Sequence, residues 1–359
     1  MLKINQIPQE ILSEVRDGTV IPAMPLALDA NRKFDEKHQG AIAKYYIDAG
    51  VGGIAVGVHS TQFEIRDPNI NLFKPVLQHT IAVIDSYAEQ KGRKILKIAG
   101  VCGQTAQAVR EAEFAVNAGF HACLLSLAAL KGDSIDAIIS HCKTIAKIMP
   151  VIGFYLQPAV GGRVLPYEFW RQFAEIENVL AIKMAPFNRY QTLDVVRAVC
   201  EAGRENEITL YTGNDDNIVV DLLTEYKIVT AQQVKKVRIR GGLLGHFCVW
   251  TKSAVELLKE IHHITDNHLP VPQELLTKAV EVTDCNAALF DTANAFAGCI
   301  PGIHEILRRQ GLMQGTWCLN AHEVLSPNQA QELDRVSASY PHLMIDDAFI
   351  RENLHHWLV

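Results

Sequence analysis

Eight short, nearly continuous apolar runs recur along the first two thirds of the chain, and a stretch carrying helix signals follows each. The runs are Thr19–Leu26, Gly53–Val58, Lys94–Val101, His121–Leu125, Pro150–Tyr155, Val179–Met184, Glu207–Tyr211 and Gly245–Trp250. A strand that is apolar at almost every position is covered on both faces, as in a parallel sheet flanked by helices. The intervening stretches start and stop as helices do. Asp35 is placed to cap a helix ending at Gly50, and Thr105 lies near the start of one ending at Gly119. Ser134 opens another that Pro150 closes, and Pro166 suits a first helical position. Eight such units at intervals of roughly 25–40 residues predict an α/β fold of the (β/α)8 barrel type. An open doubly wound sheet wants about six strands and a glycine-rich first turn, and VIPAMPLALDA has no glycine.

After about residue 262 the strand rhythm stops, and Pro272–Ala297, Gly302–Arg309, Asn328–Ser337 and Asp346–Trp357 all read as helical. The expected layout is a barrel with a short N-terminal helix over residues 1–262 and a C-terminal helical extension over 263–359 packed on it. With 359 residues, 48% of them hydrophobic, there is material for one large core. A formal net charge of −6 and the lack of any Lys/Arg stripe argue against nucleic acid or an anionic membrane as partner. No segment reaches about 18 uninterrupted apolar residues. The opening MLKINQIPQEILSEVRDG lacks the apolar core of a signal peptide, so a cytoplasmic location is expected. The eight cysteines are scattered singly, without CxxC or zinc-like spacing, and are expected to be reduced, buried thiols. Neither a metal nor an organic cofactor is expected.

Chemistry in such barrels sits at the C-terminal ends of the strands. In Val179–Met184, alternation puts Ala181 and Lys183 on one face and Leu180, Ile182 and Met184 on the other. The second set suits the helix-facing side, which leaves Lys183 pointing into the barrel mouth. Poor solvation there favours the neutral amine, the form that attacks a ketone. The alternative is a lysine that snorkels out to pair with a carboxylate, although the strand itself has no acidic residue. In the preceding run, Gly153 and Tyr155 share a face opposite Ile152 and Phe154. With neighbouring strands ~4.8 Å apart, Tyr155 is expected to project into the same volume as Lys183. There it would relay protons as a carbinolamine loses water and a carbon–carbon bond breaks, with Gly153 leaving room for substrate. The other reading of Tyr155 is a core aromatic whose hydroxyl is bonded to backbone.

Taken in order, these segments resemble the dihydrodipicolinate synthase and N-acetylneuraminate lyase superfamily. AIAKYYIDAGVGGIAVGVHSTQFE is similar to the stretch leading into the family's Gly-Thr-Thr-Gly-Glu loop, and KILKIAGVCGQTAQAVREAEFAVNAGFHACLL to its third and fourth βα units. GFYLQP resembles its Tyr-Asn-x-Pro, VLAIKMA its Schiff-base strand Ile-x-Gly-Ile-Lys, and LYTGNDD its Gly-Asp/Asn-Asp turn. NAFAGCIPGIHEILRRQGLMQG is similar to its closing helices. The resemblance implies a class I aldolase-type lyase in which Lys183 forms a Schiff base with a pyruvate-type 2-oxo acid and Tyr155 relays protons. It implies that the loop Gly57-Val58-His59-Ser60-Thr61-Gln62 binds the substrate carboxylate, through backbone N–H groups with help from the Ser60 and Thr61 hydroxyls. It also implies that Gly213 and Asn214 line the substrate site, and that the chain is a homo-oligomer, a dimer or a homotetramer built as a dimer of dimers.

Several positions depart from the family pattern. His59 is either a donor to the carboxylate, a replacement acid/base group, or structural. The region SLAALKGD lacks the aromatic-rich turn that dihydrodipicolinate synthases offer to a neighbouring subunit. The family's second-carboxylate arginine falls opposite Ala159 or Val160, with Arg163 nearby but offset as the candidate to replace it. Both departures argue against dihydrodipicolinate synthesis itself and for a rebuilt second-substrate pocket. In Gly245–Trp250, His246, Cys248 and Trp250 alternate onto one face. Cys248 falls where relatives often have a small hydroxyl residue and is read as pocket lining or as a core thiol, while Trp250 walls the pocket or packs on helices. The expected function is a lyase or aldolase that cleaves a 2-oxo-3-deoxy sugar acid, or a related 4-hydroxy-2-oxo acid, into pyruvate and an aldehyde. The alternatives are a dehydratase or hydratase-aldolase using the same imine, a metal-dependent barrel enzyme using His59, Asp215, Asp216 and His246, and a non-catalytic keto-acid binder.

Overall fold

The structure is a computed structural model and describes residues 1–231 and 233–359. Its elements begin with α1 (Gln9–Asp17), β1 (Val20–Pro22), α2 (Glu36–Ala49), β2 (Gly53–Val56), α3 (Phe73–Gln90), β3 (Leu96–Val101), α4 (Thr105–Ala118) and β4 (Ala122–Leu125). They continue with α5 (Ile135–Ala146), β5 (Val151–Leu156), α6 (Tyr167–Phe173), β6 (Val179–Ala185), α7 (Arg189–Glu201), β7 (Thr209–Thr212) and α8 (Ile218–Leu223). Next come β8 (Glu225–Val229), β9 (Val234–Arg238) and β10 (Gly241–Leu244). The last are α9 (Thr251–Asp266), α10 (Gln273–Leu289), α11 (Cys299–Arg309), α12 (Gln329–Ser339) and α13 (Asp346–Trp357). Eight of the strands form one parallel sheet in the order β1-β10-β7-β6-β5-β4-β3-β2, and a parallel bridge from Ala23 to Ala55 joins its two ends. This is a (β/α)8 barrel with a helical C-terminal extension. Among the described residues no helix is long and apolar enough to cross a membrane. All eight cysteines are outside disulfides.

The predicted helix boundaries rest on real caps. The Asp35 side chain accepts from the His38 N–H at the start of α2, and Gly50 ends that helix at φ 104°. Ser134 accepts from the Ala137 N–H at the start of α5, and Gly119 closes α4 in the left-handed region. The eighth barrel strand is displaced from its expected place. It is Gly241–Leu244, and the expected Gly245–Trp250 instead forms a single helical turn over His246–Cys248 leading into α9. The apolar run is continuous through both segments, so hydropathy alone cannot say which part is extended. Gly241 leaves no room for a side chain: a Cβ there would lie 2.5 Å from the Thr19 carbonyl oxygen and 2.7 Å from the Tyr211 ring. The antiparallel pair β8–β9, with Lys227 opposite Lys236, has no counterpart among the predicted strands.

The chain divides into two compact units. The first comprises residues 1–19 and 96–243. Its strands β4 to β7 are buried at every position. β5 lies parallel to β6 with Phe154 opposite Lys183 and Tyr155 opposite Met184, and β6 lies parallel to β7 with Lys183 opposite Tyr211. Register partners in a parallel ladder share a face, so Phe154, Lys183 and Tyr211 form one row. The aromatic residues of α6 cover the opposite face of β5. They come close because Gly153 has no side chain: a Cβ there would lie 2.7 Å from Phe173 Cε1 and 3.3 Å from Trp170.

The second unit comprises residues 20–95 and 244–359, so the helices α10 to α13 belong to the same unit as α2, α3 and α9. Tyr45 and Tyr46 are fully buried, and the Tyr45 ring lies 5.6 Å from that of Trp357. Asp346 at the start of α13 accepts from the Tyr45 hydroxyl at 2.5 Å and from the N–H groups of Lys252 and Ser253 at 2.7 and 3.0 Å. The carboxylate thereby satisfies two of the orphan donors at the N-terminus of α9. The Trp357 indole N–H donates to Asp48 at 2.8 Å. The extension is integral to this unit.

Candidate active site

Lys183 sits near the C-terminal end of β6 and is only 8% exposed. Its Nζ lies 4.4 Å from the centre of the Phe154 ring on β5. On the other flank its chain runs against Gly213, just beyond β7. A Cβ there would lie 2.7 Å from Lys183 Cε, 3.0 Å from Lys183 Cγ and 2.9 Å from Ala185 Cβ. The lysine is thus fenced between an aromatic face and a residue that has no side chain. The Gly213 N–H donates to the Met184 carbonyl, which continues the β6–β7 pairing past the strand end. Gly213 and Lys183 are therefore brought together.

Tyr155 is not brought to Lys183. It lies on the opposite face of β5, with its ring 5.3 Å from that of Trp170 on α6. Its hydroxyl accepts a hydrogen bond from the Leu165 N–H at 3.2 Å, and burial pushes its pKa up. The alternation within the strand holds, but the face assigned to the pair Gly153 and Tyr155 is corrected. Both face the helix layer, because the bulky α6 sequence YEFWRQF needs a glycine beneath it, and Phe154 takes the position beside Lys183. Tyr211 is the tyrosine in the lysine's row. Its hydroxyl donates to the Val15 carbonyl of α1 at 2.9 Å.

Two other expected ligand groups of this unit have structural work. Asn214 is fully buried. Its Oδ1 accepts from the Phe187 N–H at 3.0 Å, and its Nδ2 donates to Asp221 at 2.8 Å and to Thr192 at 3.3 Å. Asp221, itself 1% exposed, also accepts from Thr212 at 2.7 Å, Asn217 at 2.8 Å and Arg189 at 3.0 Å. This network fixes the turn after β6, where Phe187 is in the left-handed region at φ 51°. Asn214 is thereby corrected from a substrate ligand to a strut of the lysine strand's exit. Arg163 is likewise a strut. Its Nη1 donates to the Leu130 and Asp133 carbonyls at 2.7 and 3.1 Å, tying its own loop to the one after β4.

In the second unit, Gly57, Ser60, Thr61 and Cys248 converge on the exit of β1. The Ser60 hydroxyl and the Cys248 thiol both donate to the Ala23 carbonyl. Thr61 donates to the Met24 carbonyl at 2.6 Å and accepts from the N–H groups of Gly57 and Val58 at 2.9 and 3.2 Å. The expected carboxylate donors Gly57, Ser60 and Thr61 are thus committed to holding their own loop, because each buried carbonyl and N–H there needs a partner. Cys248, 0% exposed and in a helical turn rather than on a strand, is a core thiol. His59 is half-exposed, with its ring edge-on to Phe63 at 6.0 Å. His246 follows β10 and is buried, with its ring nitrogen 2.6 Å from Asn286 Oδ1 and its pKa pushed down to about 4 by burial. Trp250, at φ 52°, is 2% exposed with its ring 5.6 Å from that of His246. Among the described residues no group of three or more His, Cys, Asp or Glu side chains is arranged to hold a metal ion.

Sequence reasoning missed Phe154 and Asp221. A signal for the first was present in the aromatic helix Tyr167–Phe173, which calls for a small residue on the strand face below it. Asp221 carries no sequence signal that separates it from a solvated helix carboxylate.

The family whose pattern the chain matches makes it a class I lyase of the (β/α)8-barrel type. The chain belongs to the Dihydrodipicolinate synthetase family, whose pattern matches residues 17–225. No curated protein matches the sequence. The chloride-inhibited dihydrodipicolinate synthase of Acinetobacter baumannii, solved with pyruvate, is 18% identical with a TM-score of 0.70, covering 91% of this chain and 99% of that one. The lysine-bound dihydrodipicolinate synthase of Cyanidioschyzon merolae is 19% identical with a TM-score of 0.71, covering 91% and 99%. CdNal from Clostridium difficile, solved with mannosamine, is 17% identical with a TM-score of 0.66, covering 90% and 99%. At these identities the likeness is one of fold. Family membership supports Schiff-base, pyruvate-dependent aldolase chemistry.

Proposed function

We propose that the chain cleaves or forms a carbon–carbon bond through an imine on Lys183, with a 2-oxo-3-deoxy sugar acid or a related 4-hydroxy-2-oxo acid as substrate. The observation that carries this reading is the setting of Lys183, buried near the strand end between the Phe154 ring and Gly213. A lysine there has lost most of its water, and desolvation favours the neutral amine needed for attack. The Nζ lone pair adds to C2 of the oxo acid, and the carbonyl oxygen leaves as water after taking two protons. The C3–C4 bond then breaks as the C4 hydroxyl loses its proton, and its electron pair passes into the iminium to give an enamine. Protonation at C3 and hydrolysis return pyruvate and the free amine. The aldehyde is the other product. Arg163 and Asn214, as struts, are not given a substrate role, and Tyr155 is not given the proton relay.

Incubation with pyruvate and borohydride tests the proposal. A reduced three-carbon adduct is expected on Lys183 and on no other lysine, and Lys183→Ala should abolish it. A folded protein whose mass is unchanged with pyruvate, and with a panel of longer 2-oxo acids, would sink the reading. Pyruvate release from the same panel identifies the substrate, and water loss without pyruvate release would mark a dehydratase instead.

A further inference from the structure

We propose that Phe154 is the positioning residue for Lys183, and that its ring face stabilises the cationic imine in the place where a proton-relaying phenol was expected. The inference rests on the imine reading above and adds a role for a residue that the family pattern does not supply. Three observations carry it. The register sets Phe154 directly opposite Lys183 on the neighbouring strand. The Lys183 Nζ lies 4.4 Å from the ring centre, inside the ~6 Å over which an aromatic face attracts a cation. The far flank is closed, since the path of Cγ and Cε runs so close to Gly213 that a single added methyl group would collide with it. The lysine side chain therefore runs between the ring and Gly213.

The electrostatics then favour particular species. The ammonium and the iminium are cations, whereas the free amine and the carbinolamine are neutral. A ring face lowers the first pair relative to the second, opposing the desolvation that favours the neutral amine, and it does so more strongly where water is scarce. When Nζ has added to C2 and the oxygen has left as water, the positive charge sits on nitrogen, over the ring. Both neighbouring phenol hydroxyls are engaged with backbone. The Tyr155 hydroxyl is on the far face, bonded to the Leu165 N–H, and the hydroxyl of Tyr211, the titratable partner in register on β7, donates to Val15.

The test uses the full chain carrying Phe154→Leu, Phe154→Met and Phe154→Tyr. Borohydride trapping is measured across pyruvate concentrations at a pH above the midpoint of the Lys183 amine, where the resting side chain is neutral and only the imine carries a charge for the ring to meet. The aliphatic variants should raise the concentration for half-maximal trapping roughly 3- to 30-fold, the range of a cation–π contact expressed as an equilibrium. Phe154→Tyr, which keeps the ring, should stay within about twofold of wild type. Competitive acetylation of Lys183 followed by mass spectrometry across pH gives a second readout that mere packing would not move. Loss of the ring should lower the midpoint at which the amine is protonated, and the tyrosine variant should restore it. The leucine and methionine variants differ in shape, so one that folds is enough. Unchanged trapping and an unchanged midpoint in a folded aliphatic variant would overturn the assignment. If wild type traps no 2-oxo acid while the midpoint still moves, the imine reading fails and the Phe154 contact stands.

Discussion

Replacing Gly213 with alanine is the most direct perturbation of the lysine's position. The backbone at Gly213 is outside the left-handed region, so alanine adds no conformational strain and the effect is purely one of space. The new methyl carbon would lie 2.7 Å from Lys183 Cε and 3.0 Å from Cγ, where unstrained carbons sit at about 3.5–4.0 Å. The side chain must therefore move by ~1 Å, and a misplacement of that size costs about 100-fold in a reaction that depends on alignment. Gly153→Ala is the matched control. Its methyl would lie 2.7 and 2.9 Å from Phe173 ring carbons, an equal insult on the other face of β5. Overpacking of this kind costs about 1–3 kcal/mol of stability at either site. The rate of borohydride-trapped adduct formation is measured beside the urea midpoint. Gly213→Ala should lose both adduct rate and stability, while Gly153→Ala should lose stability and keep its adduct rate within a few-fold. Loss of adduct in Gly153→Ala with retention in Gly213→Ala would refute the assignment of faces to β5 and β6.

Tyr155→Phe should cost about 1–3 kcal/mol, because the Leu165 N–H loses its buried acceptor. Its trapping rate should stay within a few-fold of wild type; a fall of 100-fold or more would restore Tyr155 to the chemistry. Burial pushes His246 and His304 both down to about 4. A histidine neutral in the fold and titrating near ~6.5 when unfolded contributes stability that is complete above ~6.5 and is lost as pH falls to about 4, up to about 3 kcal/mol each. The stability gap between wild type and His246→Gln, read from urea midpoints, should therefore shrink as pH is lowered through that window. Glu323, pushed up to about 7, acts in the opposite direction and is common to both proteins. Asp221→Asn breaks a carboxylate that accepts from Thr212, Asn214, Asn217 and Arg189. It should cost about 1–3 kcal/mol in thermal or urea unfolding, with faster amide exchange at Phe187 as the local signature.

The barrel was legible in the sequence because parallel strands buried on both faces leave uninterrupted apolar runs, and because caps such as Asp35 and Ser134 use side chains with few other roles. The same continuity hid which face of a strand points where. In VLAIKM the single lysine marks one face, but VIGFY offers a tyrosine on one face and a phenylalanine on the other, and polarity pointed to the wrong one. The deciding fact was the space Trp170 and Phe173 require over Gly153, which lies in the packing of a later helix. Hydroxyls in the Gly57–Gln62 loop misled for a related reason. Ser60 and Thr61 are as well suited to saturating the carbonyls of Ala23 and Met24 as to meeting a ligand, and only coordinates show which they do. The eighth strand was misplaced because the apolar run continues from Gly241 into Trp250 with nothing in it to mark the extended part.

The contact between Tyr45 and Asp346 spans 301 residues, and that between Asp48 and Trp357 spans 309. At a synthesis rate of roughly 5–20 residues per second, about 15–60 s separate the emergence of the two partners. Throughout that interval α2 lacks the helix α13 that packs on it, whereas residues 96–243 can complete most of their own unit as they are made. The C-terminal helices thus set the order of biogenesis, and a ribosome stalled before Asp346 would hold out a finished half beside an unfinished one.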